Sequence, residues 1–125
     1  MLGRPENAAR SDLEQQPLTV TYAEALDDAR TLSISPEIEE LLGYTQVEWM
    51  ADPLLGMRIL HPDDRDRVME ECTAANQEGK PFRSEYRMIG RDGRIVRIRD
   101  HAVLVRGSRG QPLCWRGTMV EVLGD

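Results

Sequence analysis

The sequence predicts an α+β domain in which two strands come first, a group of helices follows and three further strands close the chain. Three observations carry this. The hydrophobic pattern changes period near residue 80, from helical spacing in HPDDRDRVMEECTAANQEG to the alternation of FRSEYRMIGR and RIVRIRDHAVLVR. Asp92-Gly93 lies between those two alternating runs, where aspartate and glycine accept the positive φ of a tight hairpin turn. Pro62 at a first helical position and Gly79 at a helix stop bracket one longer helix between them.

The elements follow in order. PLTVTYAEAL (17–26) begins as a strand with Leu18, Val20 and Tyr22 on one face, DDAR reads as a turn, and TLSIS (31–35) as a second strand of the same hairpin. Ser35-Pro36 supplies an N-cap and an N1 proline for a short helix, PEIEELL, with Glu37, Glu39 and Glu40 near its positive end and Gly43 as its stop. Thr45 and Glu48 have capping-box spacing ahead of Trp49 and Met50, and Asp52-Pro53 ends that second helix. Leu54 to Leu60 reads as one helical turn and a loop. The longer helix places Val68, Cys72 and Ala75 on its inward stripe, with Met69 at the edge. After Pro81 come three strands, turning at Asp92-Gly93 and again at Gly107 to Gly110.

A chain of 125 residues is one domain's worth. Its polar N-terminus has no apolar run of signal-peptide type, and no stretch approaches the length of a membrane span, so a cytoplasmic location is the expectation. Residues 1–16 read as a flexible or helical lead, with a helix from about Ser11 to Gln16. Residues 17–123 read as the domain, and 124–125 as the start of a truncated C-terminal connector. Charge is uneven: residues 1–80 carry 17 acids against 7 bases, and residues 81–125 carry 5 against 9. The arginines of the second part alternate with Tyr86, Met88, Val96 and Ile98, as on the solvent face of a half-buried sheet. No aromatic residues interleave with them for base stacking and the chain is acidic overall, so no nucleic-acid partner is expected.

His61, Asp63 and Asp64, with His101, are the candidates for a metal or acid–base site, and a small enzyme built on them is the alternative function. Helix initiation explains the first three and is the preferred reading. Pro62 sits at N1 and the aspartates meet the helix dipole, while Asp63 and Asp64 diverge by about 100° around the axis. No metal is expected. Cys72 and Cys114 are too few and too far apart for a zinc or redox motif and read as reduced, buried thiols.

Ser35-Pro36 with Leu41-Leu42-Gly43-Tyr44, His61-Pro62-Asp63-Asp64, Glu85-Tyr86-Arg87, Arg91-Asp92-Gly93 and the closing Glu121-Val122-Leu123 stand in the order and spacing of a PAS domain. The chain resembles that family, in its PAS/PAC sensory-box subgroup, over about residues 17 to 123. The ending departs from the family's Asp-Ile-Thr, so the usual link from the last strand to a signalling helix is not carried over.

The resemblance implies a five-stranded antiparallel sheet in the order 2-1-5-4-3, with helices over one face, and a non-catalytic sensory or dimerisation module. Its output would lie in a C-terminal effector, such as a histidine kinase or a diguanylate cyclase or phosphodiesterase. It also implies which strand faces turn inward: Val96, Ile98, Ala102 and Leu104 on the fourth strand, and Trp115, Gly117 and Met119 on the fifth. The candidate ligand pocket is thus Val68, Met69, Cys72, Tyr86, Ile98, Trp115, Gly117 and Met119. Plain core filling is the preferred reading of the same residues, with a stable ligand pocket as the alternative. Gly117 within a strand marks close approach of a ligand or another backbone. The candidate dimer or signalling surface is Arg97, Val103, Val105, Thr118, Val120 and Glu121. The flavin family's Asn-Cys-Arg-Phe run is absent and the long helix has no histidine for haem. No cofactor is therefore expected beyond a small organic ligand. A homodimer is the expected assembly.

Overall fold

A computed structural model describes residues 16–26 and 30–124. The expected lead over residues 1–15, the centre of the DDAR turn (27–29) and Asp125 lie outside the described residues. In chain order the elements are β1 (Thr19–Glu24), β2 (Thr31–Ile34), α1 (Glu37–Leu42), α2 (Gln46–Ala51), α3 (Leu55–Ile59), α4 (Pro62–Glu78), β3 (Phe82–Ile89), β4 (Ile95–Arg106) and β5 (Pro112–Glu121). The strands form one antiparallel sheet in the order β2-β1-β5-β4-β3, as the resemblance implies. Among the described residues no helix is long and apolar enough to cross a membrane.

The alternation of β3 and β4 splits cleanly into two faces. Val96, Ile98 and Ala102 are buried against the helices, while Arg97, Arg99 and His101 are exposed on the other side. Val20, Ile38, Leu41, Leu42 and Ile98 form the most deeply buried part of the core. The ambiguous stretch from Leu54 to Leu60 is α3 followed by a bridge from Leu60 to Met88. Burial of Leu55, Ile59 and Leu60 fixes it against the sheet.

Local signals place most helix ends. Thr45 and Glu48 make both halves of the capping box: Glu48 N–H donates to Thr45 Oγ1 at 3.0 Å and Thr45 N–H donates to Glu48 Oε1 at 2.8 Å. His61 Nδ1 accepts from Asp63 N–H at 3.1 Å, which makes this histidine the cap of α4. Ser35 departs from expectation. Its hydroxyl does not cap α1 but accepts from Thr21 N–H at 3.0 Å, because the adjacent β-pairing brings β1 within reach.

Asp64 also does more than meet a helix dipole. Its carboxylate accepts from Arg87 N–H at 2.8 Å and from the Arg87 guanidinium at 2.7 and 3.0 Å, clasping α4 to β3. The Arg87 hydrogen bonds hold the Asp64 carboxyl well below its ordinary range, at about 2. Asp64→Ala removes a bidentate, partly exposed pair and is expected to lower stability by about 1–2 kcal/mol. Urea denaturation checks this, and an unchanged midpoint would show the clasp to be energetically idle.

Arg91 makes a second fastening, in the turn just after β3. Its N–H donates to Leu42 O at 2.9 Å, its Nε to Gly43 O at 2.7 Å, and its guanidinium pairs with Glu48 at 2.5 Å while lying 4.5 Å over the Tyr44 ring. The β3–β4 hairpin is thereby fastened to the α1–α2 corner. Two side chains sit differently from the sequence reading. Cys72 and Cys114 are free thiols but half-buried rather than buried, the first at a cavity wall and the second on the sheet's outer face.

Candidate functional site

Three strands bring polar side chains to the inner face at one place. Asp100 of β4 is buried, with Tyr22 of β1 and Tyr86 of β3 converging on it. The Tyr22 hydroxyl donates to Oδ1 and the Tyr86 hydroxyl to Oδ2, each at 2.6 Å. Burial pushes the Asp100 carboxyl up, although both phenol donors pull it back down. Burial, then the Asp100 charge, raises both phenols, so each keeps its proton and remains a donor. Glu24, at the end of β1, is half-buried nearby; burial, reinforced by Asp100, lifts its carboxyl to about 7.

Gly117 is what lets Tyr22 reach Asp100. A Cβ there would lie 2.5 Å from the Tyr22 hydroxyl oxygen and 2.8 Å from the His101 carbonyl. The glycine thus marks a close approach, and the approaching groups are a phenol and a neighbouring strand's backbone. The bond from Tyr22 to Asp100 passes across β5 at this point, since Tyr22 pairs with Gly117 and Gly117 with Ala102.

Above these groups lies a cavity of about 460 Å³, within the range of small-molecule sites. Of the pocket residues expected from the sequence, Val68, Met69, Cys72, Tyr86, Trp115 and Met119 line it. Ile98 lies fully buried in the core instead, and Gly117 sits beneath Tyr22. Burial, then Glu24, Asp100 and Glu71, pushes the Cys72 thiol up to about 12, so it is not a ready nucleophile. The sequence reading passed over Asp100, Tyr22, Glu24 and Trp49, all of which also line the cavity. For Asp100 a signal existed: it occupies the inward parity of β4, between Ile98 and Ala102.

His61, Asp63, Asp64 and His101 do not come together. His61 caps α4, Asp64 is held by Arg87, and His101 is exposed on the outer face opposite Thr118. Among the described residues no group of three or more His, Cys, Asp or Glu side chains is placed to hold a metal ion.

A family profile described as PAS fold matches residues 31–119. The chain belongs to the PAS family. A methyl sulfide methyltransferase-associated sensor of Methanosarcina acetivorans is 29% identical over 90 residues, 71% of this chain, and the chain spans 9% of that relative's length. Among solved structures, the N-terminal domain of a diguanylate cyclase with PAS/PAC sensor from Marinobacter aquaeolei superposes with a TM-score of 0.73 at 28% identity. That match covers 83% of this chain and 94% of the other. A PAS domain from Colwellia psychrerythraea (TM-score 0.67, 22% identity, 83% and 86% covered) has the same fold. So does a sensory box histidine kinase/response regulator from Burkholderia thailandensis (0.65, 22%, 83% and 76%).

On this PAS domain's outer face, Arg97 and Val103 are exposed and Val105, Thr118 and Val120 are half-buried. Glu121 does not belong with them. It shares the parity of Trp115 and Met119, so it turns inward and is buried, accepting from Leu18 N–H at 3.2 Å.

Proposed function

We propose that this PAS domain is a non-catalytic, cytoplasmic sensory module that takes a small organic ligand in the cavity above Asp100. The observation that carries the reading is the cavity itself. A mostly apolar space of ligand size is floored by a buried carboxylate whose two hydrogen-bond donors come from β1 and β3. Ligand contact with that floor alters the ties between β1 and β4, which flank β5, and β5 carries the change toward the C-terminus. The relatives described as a diguanylate cyclase sensor and a sensory box histidine kinase support an effector of either kind downstream.

The lining residues favour neither haem nor a thiol-reactive flavin. No histidine lines the cavity among the described residues, and Cys72 holds its proton firmly. Native mass spectrometry of the gently purified domain, with an absorbance spectrum, tests the proposal. A bound mass of a few hundred daltons or less, lost on denaturation and without visible absorbance, is the expected result. A visible chromophore would replace the reading with a cofactor-based sensor.

The same proposal includes a homodimer through the outer face, where Val103 and Val105 stand side by side next to Cys114, and Val120 lies further along β5 opposite Arg99. Val105→Asp is expected to weaken the dimer by about 2 kcal/mol or more, a factor of roughly 30, while leaving the monomer folded. Light scattering reads this directly. An unchanged mass at matched concentration would place the interface elsewhere.

A further inference from the structure

We infer that the cavity selects a small organic cation, an alkyl- or arylalkylammonium whose nitrogen sits at the end formed by Glu24 and Asp100. This rests on the proposal that the cavity is a ligand site, and it names the ligand's chemistry.

The charged side chains lining the cavity, among the described residues, are Glu24, Asp52 and Asp100; no lysine, arginine or histidine lines it. Asp52 is engaged by Arg58. The other two carboxyls remain for a ligand. Asp100 holds one phenol hydrogen on each oxygen, and a carboxylate oxygen accepts more than one donor. The Glu24 carboxyl accepts no hydrogen bond among the described residues, although burial is enough to lift it to about 7. A ligand anion would meet two carboxyls with no compensating cation. A neutral apolar ligand would leave Glu24 desolvated and unpaired. An ammonium group supplies several donors and the opposite charge. The aromatic rings of Tyr22, Trp49, Tyr86 and Trp115 line the same space and suit a cation attached to an apolar body. At the opening, the exposed side chains of Leu26, Leu54 and Met69 form an apolar rim that matches such a body.

The test compares three probes of one shape by calorimetric titration and thermal shift above neutral pH: phenethylamine, 2-phenylethanol and phenylacetate. Phenethylamine is expected to bind roughly tenfold or more tighter than 2-phenylethanol, with phenylacetate weakest. Glu24→Gln and Asp100→Asn are each expected to erase that preference. If Asp100→Asn does not fold, Glu24→Gln decides. Equal binding of the amine and the alcohol, or a preference that survives Glu24→Gln, overturns the cation assignment and leaves the ligand-site reading in place. Binding of none of the three, together with no retained mass in the purified domain, overturns both.

Discussion

Replacing Gly117 by alanine is expected to destabilise the domain by about 3 kcal/mol and to lower its melting temperature by more than about 10 °C. The new methyl would stand 2.5 Å from the Tyr22 hydroxyl oxygen, 2.6 Å from its ring carbon and 2.8 Å from a backbone carbonyl of β4. A side-chain tip can swing away, but a strand carbonyl held in a sheet cannot. Tyr22 would leave Asp100, and a buried carboxylate would lose one of its two donors. The overpacking and the lost bond therefore add. Tyr22→Ala in the same background isolates the contact, since it removes the phenol before the methyl arrives. Gly117→Ala should then cost markedly less. An equal loss in both backgrounds would mean that the phenol is not what reserves this position for glycine.

Stability is expected to fall as the pH rises from about 4.5 to about 7, by up to about 3 kcal/mol, and Glu24→Gln is expected to flatten the fall. The sign follows from where the proton sits. Folding raises the Glu24 carboxyl from its ordinary 4.5 to about 7, so between those values the folded chain holds a proton that the unfolded chain has released. Raising the pH then favours unfolding. Asp100, also raised, adds in the same direction. Tyr22 and Cys72, which face Glu24 from β1 and α4, have raised values and stay neutral throughout this window. Asp64 works oppositely: its folded value of about 2 lies below the ordinary 3.8, so its contribution is present above 3.8 and is lost as the pH falls toward 2. Maximum stability thus lies between about pH 4 and 5. Urea midpoints of both proteins across this range decide the matter, and a wild-type midpoint that climbs from acid to neutral pH would refute it.

The fold was legible because its signals are local. Thr45 and Glu48 are three residues apart, Gly79 and Gly43 need only their own positive φ, and strand alternation is written along each strand. The fastening of one element to another was not legible. Asp100 could be assigned inward by parity, but its donors come from 78 and 14 residues away, and nothing local names them. Glu121 was misplaced by chemistry, since an acid reads as surface even where its parity points inward. Ser35 looked like a cap because its partner across the hairpin, Thr21, is visible only once β1 and β2 pair. The site's polar floor is therefore the part most dependent on tertiary structure.

Arg91 has a mechanical consequence for the cavity. By holding Leu42, Gly43, Tyr44 and Glu48 at once, it welds the first two helices to the β3–β4 hairpin as a single frame. At the far end of α3, Arg65 donates to Leu60 O at 3.1 Å and so anchors α4 to the chain entering it. Between these two fixed points hangs α3 with the Pro53-Leu54 approach to it, and Leu54, Gly56 and Met57 form part of the cavity wall. Braced at Arg91 and at Arg65 and held down by its own buried Leu55 and Ile59, α3 is a door frame rather than a door, a wall already in place when a ligand arrives.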